Sequence, residues 1–178
     1  MIAGVVGELL IGWLLADLIG GVIHWFEDRI AQPHWPVIGR HVVQPNRDHH
    51  ARPQAFTAGG MMTRNGTTWA AAALIALLWL ALFGVSLTFV SAAIGGAMSS
   101  QVHYWAHVPR QAPRIVRTLQ AIGLFQSSTH HARHHRPDVL ANYCVLTDLV
   151  NPVLTHLDIW RRLEAIVARL GVPVERAA

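Results

Sequence analysis

Residues 67–100 read TTWAAAALIALLWLALFGVSLTFVSAAIGGAMSS, without one charged side chain. As a single helix this block would run about 50 Å at 1.5 Å per residue, against a bilayer hydrocarbon core of about 30 Å. That is too long for one crossing. Phe83-Gly84-Val85-Ser86 is the natural break, since glycine and serine between apolar runs mark a turn. The reading is two antiparallel helices, 68–83 and 86–107, of which the first is short for a full span. Upstream, 2–23 forms another apolar helix, interrupted only by Glu8 and Asp17. No basic residue precedes Arg29, so the positive start of a secretory signal is missing and the helix is expected to be retained. The expected fold class is an all-α integral membrane protein, one domain over 1–178. It has about three transmembrane helices plus interfacial or cytoplasmic amphipathic helices that carry histidine boxes.

Composition points the same way. Hydrophobic residues make up 52% and charged residues 13%, about half the charged share of a soluble domain. All 14 basic residues are arginine, with a net charge of +4. They are scattered between apolar blocks, with no basic and aromatic stripe of the kind that nucleic acid requires; no nucleic-acid partner is expected. Cys144 is the single cysteine, which excludes an intramolecular disulfide and a cysteine-rich zinc or iron–sulfur site.

The arginines orient the chain. Arg29, Arg40, Arg47, Arg52 and Arg64 fall between the first and second spans, and the other nine, ending at Arg176, follow the third. With three spans both sets share one side, which the positive-inside rule makes cytoplasmic. The expectation is a multi-pass protein, in a bacterial inner membrane, with its N-terminus outside. Two later segments read as amphipathic: 113–126, with Ile115, Leu119 and Ile122 on one face, and 158–170, with Ile159, Leu163, Ile166, Val167 and Leu170. Helices of this kind lie in the headgroup plane or pack on a cytoplasmic subdomain; both readings stay open. Trp25 and Trp105 read as interface anchors.

Histidine is the anomaly: 12 residues, more than the 10 acidic ones. The clustered groups (His24; His49 and His50; His103 and His107; His130, His131, His134 and His135) all fall on the arginine side. Positions i and i+4 share a helix face, so His103 and His107 can point at one ion, as can His131 and His135, with His134 beside them. One zinc needs three or four protein ligands, whereas eight or nine imidazoles stand in clustered positions; the count calls for two metals. Ligand type alone does not select among iron, zinc, copper and nickel. His34, His41 and His156 read as surface groups. Asp28, four residues after His24, reads as a carboxylate that orients an imidazole, and Asp17 as either that or a structural partner of a neighbouring helix; Glu8 has no role.

These residues, in this order, resemble the lipid desaturase domain family. The resemblance runs from Asp17 to Glu164, on Gly21-Val22-Ile23-His24-Trp25 with Asp28, Pro36-Val37-Ile38-Gly39, Pro45-Asn46-Arg47-Asp48-His49-His50, Asn65-Gly66, Gln101 to His107, His130 to His135, Tyr143-Cys144, Asn151 and Trp160 to Glu164. It implies His24, His49, His50, His103, His107, His131, His134 and His135 as metal ligands and catalytic residues, with His130 behind them. It implies two iron ions as cofactor, O2 as co-substrate, and desaturation of an alkyl ether or acyl chain of a membrane phospholipid. An external electron donor, cytochrome b5-like or ferredoxin-like, would supply the electrons, since no flavin or haem motif is visible. The same histidine boxes would serve a membrane lipid hydroxylase. A metal carrier or sensor is the third reading, but it calls for ionisable ligands along the spans, whereas here they cluster on one face and the mid-span of 68–94 is empty.

Overall fold

The computed structural model describes residues 2–136 and 139–175, and among them it is helical with no strand. Arg176, counted above with the arginines, lies outside the described residues. Two helices are long and apolar enough to cross a membrane: α1 (Ile2–Arg29) and α4 (Met61–Phe83). A third, α5 (Leu87–His107), completes the bundle and packs against both. Its run of Ser91, Ser99, Ser100 and Gln101 makes it less apolar than the other two, so two helices rather than three meet the length and hydropathy expected of a span.

The break in the uncharged block falls where the sequence puts it. α4 ends at Phe83, Gly84 turns with φ 72°, and the Ser86 hydroxyl caps α5 by accepting from the Phe89 amide at 3.0 Å. α4 starts earlier than expected, however, at Met61 instead of 68, and so has 23 residues, about 34 Å of helix. It is not a short span. Arg64 is accommodated within it because its guanidinium folds back over the Tyr104 ring, 3.9 Å from the centroid, and donates to the Gly59 carbonyl. α1 likewise continues past residue 23 to Arg29, taking Glu27 and Asp28 into the helix.

Small residues set the spacing of α1 and α5. A Cβ on Gly12 would collide with the Thr88 carbonyl, and one on Gly95 would meet the Ala16 methyl at 2.8 Å. Backbones this close gain dispersion contacts that apolar lipid cannot replace. The first core (Ala16, Val102, Ala112, Val116, Phe125, Leu146) joins α1 and α5 to α6 (Arg114–Ala121). In α6 the buried residues are Val116 and Gln120, while Ile115 and Ile122 are exposed. Leu119 is half-buried against the first core, and the helix is shorter than the expected 113–126: it ends at Ala121, and the chain turns at Gly123 (φ 76°).

The other helices cover the histidine end. They are a π-helical turn (Gly39–Val43), α2 (Gln44–Ala51), α3 (Pro53–Ala58), α7 (Ser128–His134), α8 (Val150–His156) and α9 (Ile159–Arg169). α9 docks on the second core through Trp160, whose ring lies 4.9 Å from Tyr143 and 6.4 Å from Trp25. Trp25 is thus core, not an interface anchor, because α1 carries it beyond the apolar stretch into the layer of short helices at the histidine end. Arg29 at the end of α1 donates to Glu164 of α9 at 2.5 Å in a largely buried ion pair. Ile166 and Leu170 on the far side of α9 are exposed.

Candidate metal centre

α1 carries His24 and Asp28 one turn apart, and α5 carries His103 and His107 at the same spacing, so each pair shares a face. α2 supplies His49 and His50, and α7 supplies His131 and His134 with His135 as its last cap. Ser127 fixes the start of α7 by accepting from the His130 amide at 3.2 Å. All eight histidines expected as ligands come together in two groups. One holds His49, His103, His107, His131 and His135; the other holds His24, His50, His134 and Asp28. Within each group the potential ligand atoms lie within 4.8 Å of one another.

The spacing inside the groups is that of ligands around an ion. His107 Nε2 lies 3.1 Å from His103 Nε2, 3.2 Å from His49 Nε2 and 2.8 Å from His131 Nε2. His135 Nε2 is 2.9 Å from His131 Nε2. Two nitrogens at right angles about one ion, each roughly 2.1 Å away, stand about 3.0 Å apart. In the second group Asp28 Oδ2 lies 3.3 Å from His50 Nε2, 3.4 Å from His134 Nε2 and 3.7 Å from His24 Nε2. The groups adjoin: the His50 and His135 rings are 4.9 Å apart.

The chemistry of the donors fits metal. His24 Nε2 is buried without a hydrogen-bond partner. Its Nδ1 is 3.0 Å from the Tyr143 carbonyl, and His134 Nδ1 is 3.3 Å from the Ala141 carbonyl. Carbonyl oxygens only accept, so Nδ1 carries the proton and Nε2 turns its lone pair inward. Burial, reinforced by neighbouring imidazoles, brings His49 down to about 2 and His135 down to about 3, and holds His131 well below the ordinary range. These imidazoles are neutral at pH 7, the form that ligates metal.

The wall behind the second group is residues 141–147, all buried and without regular structure. Asp17 holds this segment to α1. Its carboxylate accepts from the Leu146 amide (2.8 Å), the Thr147 amide (3.1 Å) and the Thr147 hydroxyl (2.6 Å). Of the two roles open to Asp17, the structural one holds, though toward a loop instead of a helix. Gly21 lets the segment approach, since a Cβ there would strike Cys144. Asn151 accepts from the Cys144 amide at 3.0 Å and donates to its carbonyl at 2.7 Å, and Gln126 donates to that carbonyl at 2.8 Å.

Several placements differ from those read in the sequence. The carboxylate of Asp28 stands among the ligand atoms of the second group, with Asn46 donating to its other oxygen. His130, by contrast, lies outside both groups as expected, with Nε2 3.0 Å from Asn151 Nδ2. His41 is exposed, as expected of a surface group, and also lines the mouth of an apolar cavity together with Glu27. Glu27 was discoverable from its i+3 spacing to His24. Phe56, 4.9 Å from the rings of both His49 and His103, also carried no sequence signal.

Comparison with known proteins bears on this arrangement. A lipid desaturase domain model matches residues 13–176. A protein of Acanthamoeba polyphaga mimivirus named "Probable fatty acid desaturase" is 31% identical over 167 residues, 92% of this chain and 82% of the relative. The plasmanylethanolamine desaturase of Myxococcus xanthus is 27% identical over 89% of this chain and 59% of its own length. A plasmanylethanolamine desaturase of Mus musculus is 28% identical over 93% and 66%. The chain thus spans less than two thirds of the latter two. No solved structure matches. With a match that takes in every clustered histidine, and relatives alike over nearly the whole chain, the protein belongs to the lipid desaturase domain family.

Proposed function

We propose that the protein is a membrane oxidoreductase that holds two iron ions and uses O2 to desaturate a hydrocarbon chain of a phospholipid, either an alkyl ether or an acyl chain. The observation that carries this reading is the pair of adjoining histidine groups at the head of an apolar cavity between long helices. When bound, iron supplies the one-electron reactivity toward O2 that cleavage of an unactivated C–H bond requires. The chain's own residues do the rest. His49, His103, His107, His131 and His135 hold one ion; His24, His50 and His134 hold the other, with Asp28 offsetting its charge. The Tyr143 and Ala141 carbonyls keep two of these imidazoles in the ligating tautomer. Phe56 and the apolar lining exclude water from the reacting carbons. One CH2–CH2 unit loses two hydrogens to become CH=CH; O2 takes these with two further electrons and two protons, giving two waters. The two electrons come from an external one-electron donor, cytochrome b5-like or ferredoxin-like.

We also propose three crossings, α1, α4 and α5, with the histidine end in the cytoplasm. Support comes from the arginines, which flank that end, while the 84–86 turn at the other end carries no charge. An impermeant thiol reagent added outside intact cells is expected to label a cysteine placed at position 84 or 85 and to miss one at position 55. The reverse pattern would overturn this orientation. The reaction is tested by lipidomics of cells with and without the protein, in air and without oxygen. The expected result is an O2-dependent lipid lighter by two hydrogens; a product heavier by one oxygen would mean hydroxylation, and no lipid change would remove the enzyme reading.

A further inference from the structure

The cavity at the metal centre is about 530 Å³, within the usual range for a ligand site. It exists because the facing residues are small. Gly20 of α1, Ala71 and Ala72 of α4, and Ala93 and Gly96 of α5 line it. α5 packs on both α1 and α4, and the cleft between those two forms the cavity. From His103 to Phe89 the α5 wall spans 14 residues, about 21 Å. That exceeds the depth of one leaflet's hydrocarbon, about 15 Å. Two contacts flank the far end. α1 and α5 are in contact at Gly12 and Thr88, so nothing continues between them. Between α4 and α5 the Trp79 and Phe89 rings meet at 6.3 Å.

The mouth has the opposite character. Arg40, His41 and Arg64 line it, with Glu27 as its acidic residue. Arg64 is held at the rim by Tyr104, and its buried Nε has no hydrogen-bond partner. A cationic mouth over a long apolar bore is complementary to one chain of a glycerophospholipid, its phosphate outward.

We infer that this cavity seats a single phospholipid chain, with Arg40 and Arg64 at the phosphate and the Trp79–Phe89 pair as the floor that sets the chain length accepted. The inference rests on the desaturase reading for the identity of the site but not for its test. Purified protein as isolated, without an electron donor, is offered phosphatidylethanolamines with saturated chains of graded length, and retained lipid is identified by native mass spectrometry. The wild type is expected to prefer one length. Trp79→Ala is expected to move that preference to longer chains, each added methylene in the opened space bringing about fourfold in affinity. Ala93→Phe is expected to weaken the longest chains by about tenfold or more, through overpacking. Diacylglycerol of the same chains should bind more weakly than the phospholipid, and Arg40→Gln with Arg64→Gln should remove that difference.

The same length ranking in wild type and Trp79→Ala, at equal thermal stability, would overturn the inference, whether or not Ala93→Phe folds. A phospholipid held no better than diacylglycerol would overturn the role of the mouth. Length-selective binding, with no unsaturated product in the lipid comparison of cells with and without the protein, would leave this cavity assignment standing and remove the desaturase reading; desaturation with an unchanged ranking would do the reverse.

Discussion

His107→Ala is expected to abolish lipid oxidation and to empty the five-histidine group, with loss of activity well beyond the 10- to 100-fold typical of a residue behind the ligands. His107 is the extreme case because its Nε2 stands within 3.2 Å of three other imidazole nitrogens. Removing it takes away one donor and opens a gap at the centre of the group. His134→Ala should do the same to the other group, since His134 Nε2 faces both His50 and Asp28. The remaining histidines of the two groups, His24, His49, His50, His103, His131 and His135, are expected to follow whichever group they belong to. His130→Ala should fall in the 10- to 100-fold range, acting through Asn151 and the Cys144 backbone. His34→Ala and His156→Ala should retain activity. Metal content by mass spectrometry, read beside product yield, checks the series. Full activity in His107→Ala would break the two-group account, and a dead His156→Ala would show that the site extends further.

Asp17→Ala is expected to destabilise the fold by about 3 kcal/mol or more. Two backbone amides and one hydroxyl lose their acceptor in a buried setting, and each unsatisfied group costs about 1–3 kcal/mol. The damage should also be directional. The segment that Asp17 holds carries the Tyr143 and Ala141 carbonyls, which orient His24 and His134. Metal should therefore be lost first from the group containing those two histidines, while the five-histidine group keeps its ion. Asp17→Asn, which retains one acceptor oxygen, should lie between. Thermal unfolding in detergent with parallel metal analysis checks this; wild-type stability and full metal in Asp17→Ala would contradict it.

The helical frame was largely legible in the sequence, and the exceptions have physical causes. Ser86 announces the start of α5 because a capping hydroxyl acts locally. The start of α4 was misread because a charge ends an apolar block without ending a helix: Arg64 reaches back along the surface and the backbone continues. Residues 141–147 show no period, since they are held by side chains outside the segment: Asp17, Gln126 and Asn151. No local pattern reports such partners. Histidine spacing correctly paired His103 with His107 and His131 with His135. It could not divide the neighbours His49 and His50, or His134 and His135, although both pairs split between the groups. Successive helical residues project about 100° apart, so each His-His pair faces two ways.

The central claim is two ions in two histidine groups, and metal analysis of the purified, active protein tests it most directly. The account predicts two irons per chain, with O2-dependent desaturation that disappears when iron is stripped and returns when it is restored. One zinc per chain, with no iron and no activity on adding iron, would contradict it.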